Sequence, residues 1–359
     1  MIKSIRDIPA DATSAFQYCS GQELNRHFAL LTKVPKALMN AYPNSDAVAR
    51  KDHLAAVIDF WSTKRPDSIL PNHCPTTVRL TLDYAEYEPM ARNWWILKHA
   101  LVDCGAGIHL FSTTDELAGH LELAENEKPT YTFVEHSRIP SAQMRAFVAQ
   151  RHLAHPSTID GRKWHYRAYV LAVGRLRVFV YCEMLALLAG AAYAPPWEGA
   201  SLKASLTNMT LQDDEAVERL QSRRDFWTGV DEFDDAWKEA VFGQICGVVA
   251  EVFRGAANTM GDRFVTLDKC FELFAVDFMM DEDGVAWLLE VNETPAFYES
   301  PVAGPIAVRL MESVVEVAMG HMNGDRESRK GVRDMVEVLD ETVNLGKGDI
   351  IEILPKELR

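Results

Sequence analysis

Asp277, Glu290 and Asn292 are three oxygen-bearing side chains placed where they could share one cation. They lie in ELFAVDFMMDEDGVAWLLEVN, two apolar runs around a polar turn that ends in glycine, which is the pattern of a β-hairpin. Folding back at DEDG brings Asp277 within a residue or two of Glu290, while Glu290 and Asn292, two apart on one strand, point to the same face. Carboxylates inside strands this apolar are costly to bury alone, so a bound cation accounts for them economically. Mg2+ suits the set, because it is held by one or two carboxylates and completes its shell with waters and substrate phosphates. The same spacing also suits edge residues or salt-bridge partners.

A second chemical signal is basic. Between His136 and Cys182 the chain carries eight Arg or Lys residues and a single acid, Asp160. Such a stretch is either a solvated strand-and-loop surface or a lining for phosphates and acidic substrates. Neither a Ser-His-Asp nor a Cys-His arrangement stands out. Covalent catalysis on the protein is therefore not the expectation.

The elements that must hold these residues are mixed. LNRHFALLTKVPKALMNAY and VARKDHLAAVIDFWSTK read as helices. WWILKHALVDCGAGIHLF reads as strand, turn, strand, and RAFVAQRHL and KWHYRAYVLAVGRLRVFVYCEMLALLA as further strands, with a turn at AVGRL. From Val230 to Ala257, Phe233, Trp237, Val241, Ile245, Val248 and Val252 recur every three or four residues, the core stripe of a long helix. A helix rich in Val and Met follows the hairpin and ends near Met322, and the charged segment from Gly324 to Arg359 reads as a peripheral tail. The chain thus divides into an N-terminal subdomain over 1–92, a central one over 93–148, a C-terminal one over 149–323 carrying the hairpin, and the tail over 324–359. Clefts between subdomains are where ligands usually bind.

At 359 residues, 48% hydrophobic and 25% charged, the chain can bury a large core. Its longest weakly polar region, Tyr169 to Trp197, is broken by Arg175, Arg177 and Glu183, far short of the roughly 18 apolar residues a span requires, so no membrane segment is expected. A net charge of -15 argues against direct nucleic-acid binding. The start, MIKSIRDIPADATS, lacks an apolar core and points to a cytoplasmic or nuclear setting. Six cysteines without a CxxC pair argue for reduced, packed thiols rather than zinc ligands or disulfides.

ELFAVDFMMDEDGVAWLLEVNETPAF resembles, almost position for position, the closing motif of the tubulin-tyrosine ligase family, which belongs to the ATP-grasp superfamily. VARKDHLAAVI, SILP, WILKHALVDCGAGI, FVAQRHL, GRKWHYRAYVL and SLTNMTLQ resemble its other motifs, in the family's order. The resemblance implies an α/β ATP-grasp fold of three subdomains with ATP and Mg2+ between the last two. It implies that Asp277, Glu290 and Asn292 hold the metal and that Lys98 lies on the ATP phosphates. Gln150 and Leu153 would contact adenine, Lys163 and Arg167 would reach phosphate and the acceptor carboxylate, and Asn208 would orient phosphate or metal. The activity implied is an ATP-dependent ligation. An acceptor carboxylate, such as the C-terminus of a protein or peptide with tubulin among the candidates, is activated as an acylphosphate and joined to an amine such as an amino acid.

Several positions depart from that pattern. His165 stands where the family has an acid and Leu187 where it has an arginine near the substrate. His99 replaces a proline, Cys104 a basic residue and Arg151 a lysine. His165 and the MLALLA run resemble a fungal branch associated with cytoplasmic mRNA-processing bodies, whose proteins become candidate partners. Three functions follow: an active peptide or protein ligase, a binding module that keeps the fold without turnover, and a ligase for a small carboxylic acid.

Overall fold

The computed structural model describes residues 12–18, 28–29, 31–81, 93–101, 107–126, 146–198, 222–293, 295–298, 300–324 and 334–341. Ten of the described strands form one sheet: β1 (Ser14–Tyr18), β2 (Lys36–Asn40), β7 (Thr158–Ile159), β8 (Arg162–Val173), β9 (Arg177–Tyr181), β10 (Leu185–Ala192), β11 (Arg223–Asp225), β12 (Cys270–Met280), β13 (Ala286–Asn292) and β14 (Met335–Asp340). The long strands β8 and β12 are its spine, antiparallel over Phe271 to Phe278. β12 and the second half of β8, from Ala168 to Val173, carry almost unbroken apolar runs because both faces of the sheet are covered there. Trp164, Tyr166, Ala168, Val170, Phe274, Val276 and Phe278 face a core shared with α2 (Lys51–Lys64) and α4 (Asp235–Thr259). The alternate residues Tyr169, Leu171, Val173, Phe271, Leu273 and Ala275 face α5 (Ala303–Asn323) through Ile306, Leu310 and Val314.

The expected stripe forms α4, whose Val241, Ile245, Val248 and Val252 are buried, and Asp234 caps it by accepting from the Trp237 amide. By length and composition α4 could cross a bilayer. Its stripe is instead part of the protein core.

The second sheet is small and antiparallel, in the order β3 (Thr77–Thr81), β6 (Ala146–Arg151), β4 (Trp95–His99), β5 (His109–Phe111). Leu117 and Leu121 of α3 (Thr114–Asn126) cover it, packing on Leu80, Trp95, Leu97, Phe111, Phe147 and Ala149. Between the sheets, α2 follows the short α1 (Asp46–Ala49) and meets β3 and β6 on one side and α4 on the other.

Three sequence readings change. The first helical pattern ends in a strand: Lys36–Asn40 forms β2, parallel to β1 and β12. Pro35 disfavours helix for its neighbour, and Leu38 and Met39 go to opposite cores. A strand buried on both faces shows no alternation, so periodicity alone reads it as helix. The sheets also divide the chain differently from the expected spans, since β3 before residue 92 joins the small sheet while β1 and β2 join the large one. Lastly, part of the expected tail is structural. β14 pairs with β9, Leu339 enters the core, and Arg177 donates to Glu337 at 2.7 and 3.0 Å.

Candidate functional site

The hairpin of β12 and β13 sets Asp277 opposite Glu290 and Ala275 opposite Asn292. Its register slips between Asp277 and Phe278, because Phe278 pairs with Leu288 and leaves Leu289 extra, a β-bulge. The bulge decides the chemistry. Ala286 and Leu288 face the core, and unbroken alternation would send Glu290 there as well; one extra residue turns Val291 inward instead. Glu290 and Asn292 then join Asp277 on the other face. Lys163, His165 and Arg167 alternate with the core residues Trp164, Tyr166 and Ala168 of β8, and Arg167 pairs directly with Asp277.

Arg167 donates from Nε to Asp277 Oδ1 at 3.0 Å and from Nη2 to Oδ2 at 2.8 Å, a bidentate fork. Burial would lower the guanidinium's pKa, but the Asp277 carboxylate outweighs it and raises it. His165 Nε2 lies 3.9 Å from Asp277 Oδ1, and burial lowers the imidazole's pKa. Lys51 Nζ stands 3.4 Å from Glu290 Oε2. Burial would raise the Glu290 carboxyl, yet Lys51, Lys98 and Arg167 prevail and hold it at about 2. From the small sheet, Lys98 donates to Gln150 Oε1 at 2.7 Å. Burial pushes Lys98 down to about 8, and burial with Lys98 nearby pushes Lys163 down to about 7. Lys163 Nζ is 3.5 Å from His152 Nε2, whose pKa burial and Lys163 lower to about 3. His152 therefore faces Lys163 as a neutral ring.

Two buried ammonium groups with depressed pKa values are unfavourable in isolation and become favourable beside an anion. Lys98 and Lys163 come from different sheets to one place, so the anion they suit lies between the sheets. A small cavity of about 20 Å³ beside Lys98 is lined by Lys51, Ile58, Lys98, Val148, Gln150 and Leu289. Leu153 follows β6 half-buried. Asn208 and Cys104 lie outside the described residues.

The metal expectation can be tested against the donor set. Among the described residues, no three His, Cys, Asp or Glu side chains gather. What gathers instead is two carboxylates and an amide, the sparse oxygen set that leaves room for waters and phosphates around Mg2+. The Asn292 side-chain nitrogen is buried without a hydrogen-bond partner; as a donor it would meet a phosphate oxygen rather than the metal, which leaves the amide oxygen as the side chain's metal ligand. Both carboxylates also have protein cations beside them, so the salt-bridge reading of their spacing is realised as well. The residues fit a cation that shares Asp277 with Arg167 and Glu290 with Lys51.

Sequence reasoning missed Lys51, His152, Arg223 and Tyr298. Lys51 was visible within VARKD but had no stated role. Arg223 and Tyr298 reach the site from distant segments. The Arg167 Nη1 donates to the Tyr298 hydroxyl at 2.6 Å, and the Arg223 guanidinium lies 4.3 Å from the Tyr298 ring centroid.

Comparisons with known proteins identify the fold and the family. A probable tubulin-tyrosine ligase of Schizosaccharomyces pombe is 34% identical over 340 residues, covering 85% of this chain and 82% of that protein. The probable tubulin-tyrosine ligase PBY1 of Saccharomyces cerevisiae is 29% identical over 301 residues, covering 73% of this chain and 40% of that longer protein. Among solved structures, the C-terminal domain of K. lactis Pby1 superposes with a TM-score of 0.67 at 26% identity, covering 93% of this chain and 89% of the other. That protein is described as an ATP-grasp enzyme interacting with the mRNA decapping enzyme Dcp2. The fold is accordingly the ATP-grasp fold. With residues 30–327 matching the tubulin-tyrosine ligase family, the chain belongs to that family of ATP-dependent ligases.

Proposed function

We propose that the protein is a Mg-ATP-dependent carboxylate-amine ligase that joins an amino acid, such as tyrosine, to the carboxylate of a protein or peptide. The observation that carries this reading is the convergence of Lys98 and Lys163, two buried cations from different sheets, beside the Asp277, Glu290 and Asn292 hairpin. Asp277, Glu290 and Asn292 would hold the magnesium, which supplies charge neutralisation at the phosphates. Lys98 and Lys163 would neutralise the transferring phosphate, with Gln150 fixing Lys98 and His152 abutting Lys163. Arg167, through the Nη protons that Asp277 and Tyr298 leave over, would hold the acceptor carboxylate as it attacks the γ-phosphorus of ATP and releases ADP; the amine would then displace phosphate from the acylphosphate to form the amide. Such a reaction depends on positioning and charge stabilisation more than on a strong base, which Lys51, Arg167 and lysines that become cationic beside phosphate would supply.

The deciving assay supplies Mg-ATP, the twenty amino acids and a panel of acidic C-terminal peptides, reading ADP by coupled enzymes and ligation by mass. Peptide-stimulated ADP release with a mass gain of one residue supports the proposal. Stimulation by small acids alone would move the substrate class to small carboxylic acids. A second reading is a binding module without turnover, favoured by Leu187, which is wholly buried in the core under α5 where the family resemblance places an arginine. A contact with the mRNA-decapping machinery, as described for K. lactis Pby1, belongs to either reading. Nucleotide binding without ADP release under any condition would favour the module.

A further inference from the structure

α5 buries one apolar stripe and exposes another. Ile306, Leu310 and Val314 pack on the large sheet, while Val308 and Val315 are 61% and 42% exposed on the outer side with Met311 between them in the chain. Three and four residues apart, Val308, Met311 and Val315 form the kind of seam that one helix offers to another. A surface helix usually carries a single apolar stripe, so the second one stands in water without the cover that the first has. With Phe297, which is 40% exposed and stacks on Tyr169 at 6.2 Å, these residues line an open groove of about 750 Å³. Met311 adds a flexible thioether that adapts to what it meets.

The rim of the groove is acidic. Glu312 and Glu316 line it one helical turn apart, a like-charge pair that weakens a helix standing alone. Among the described residues, neither makes a hydrogen bond or an ion pair. Arg309 of the same helix is already forked onto Glu183, by bonds of 2.6 and 3.2 Å. A second copy of this chain would therefore set acid against acid, in a molecule whose net charge is -15, and an acidic peptide would be repelled in the same way. A helix with Lys or Arg beside its apolar anchors relieves both the exposed carbon and the uncompensated carboxylates. We propose that this face of α5 docks an amphipathic helix of another protein, one whose apolar residues recur three and four apart and are flanked by Lys or Arg. The surface goes beyond the ligase reading and needs no turnover.

The test is fluorescence anisotropy of labelled synthetic peptides titrated with the full chain at about 0.15 M salt, where attraction to net charge alone is screened. The first peptide is a leucine-lysine helix with leucine at i, i+3, i+4 and i+7; the second carries glutamate in place of lysine; the third has the composition of the first in scrambled order. The first is expected to bind at least about tenfold more tightly than either control. Val308→Ser with Val315→Ser should remove that preference, while thermal melting confirms that the fold is kept. Glu312→Lys with Glu316→Lys should reverse the choice between lysine and glutamate peptides. Glu198→Lys with Glu239→Lys, which makes the same change in net charge at two exposed residues of other elements, should not reverse it. No binding of the first peptide, equal binding of the scrambled one, a preference that survives the valine changes, or one that the Glu312 and Glu316 changes fail to reverse would each overturn the proposal. Sedimentation showing a dimer that the valine changes dissolve would overturn it too, by assigning the groove to a second copy. The titration contains neither nucleotide nor acceptor, so its outcome is independent of the ligase reading.

Discussion

Lys98 and Lys163 concentrate the residue-scale chemistry. Burial holds Lys163 at about 7 against its ordinary 10.5. Between those values the unfolded chain holds a proton that the folded site has released, so stability from this group rises with pH across that window and is least below about pH 7. A bound phosphate reverses the balance by favouring the ammonium form. At pH 8, ATP binding should therefore take up about one proton at Lys163 and about half of one at Lys98, following their values near 7 and 8. Calorimetry in buffers of different ionisation enthalpy measures this directly, and Lys163→Met should lose most of the uptake. A binding enthalpy independent of buffer would place the phosphates away from these lysines. The residue types were legible because Asp277 and Glu290 interrupt apolar strands and because the basic stretch stands out in an acidic chain. Tyr298 and Arg223 were not, since aromatic and arginine side chains between motifs acquire meaning only when folding brings them to Arg167.

Element geometry explains why the hairpin works and why an arginine at position 187 should not. The extra residue Leu289 separates a buried Leu288 from an outward Glu290, and pattern reading alone found the hairpin without the bulge that aims its ligand. β2 was read as helix for a related reason: burial on both faces erases the alternation that marks a strand. At β10 the consequence is energetic. Leu187 packs with Leu185, Ala303, Ile306 and Leu310 between the sheet and α5. Restoring an arginine there by Leu187→Arg forces a charge into that layer, and we expect a loss of about 3 kcal/mol or more of stability rather than a gain in activity. Urea unfolding checks this, with Leu187→Met as a volume-conserving control that should cost under about 1.5 kcal/mol. A stable, more active Leu187→Arg protein would show that the layer opens to the substrate.

For the whole molecule, the decisive feature is that the candidate nucleotide site is assembled from two separate sheets. Lys98 and Gln150 belong to the small one, Lys163, Asp277 and Glu290 to the large one, and Lys51 to the helix between them. The small sheet has its own modest core around Trp95, Leu97 and Phe147, so it should open at lower free energy than the ten-stranded sheet with its two covered faces. A ligand that touches both sheets ties the weaker one to the stronger. Mg-ATP at about a hundred times its dissociation constant should add roughly 2.7 kcal/mol to the folded state, because the unfolded chain has no such site. The gain should appear as a raised melting temperature and as slowed amide exchange in β3, β4 and β6, well beyond the residues that touch nucleotide. Asp277→Asn with Glu290→Gln should remove the magnesium-dependent part; because these changes also leave Arg167 and Lys51 without their carboxylates, the shift is read against the variant's own lower melting temperature. Slowed exchange confined to the large sheet would mean that the nucleotide does not bridge the two. Equal shifts with and without magnesium would separate the hairpin from the metal.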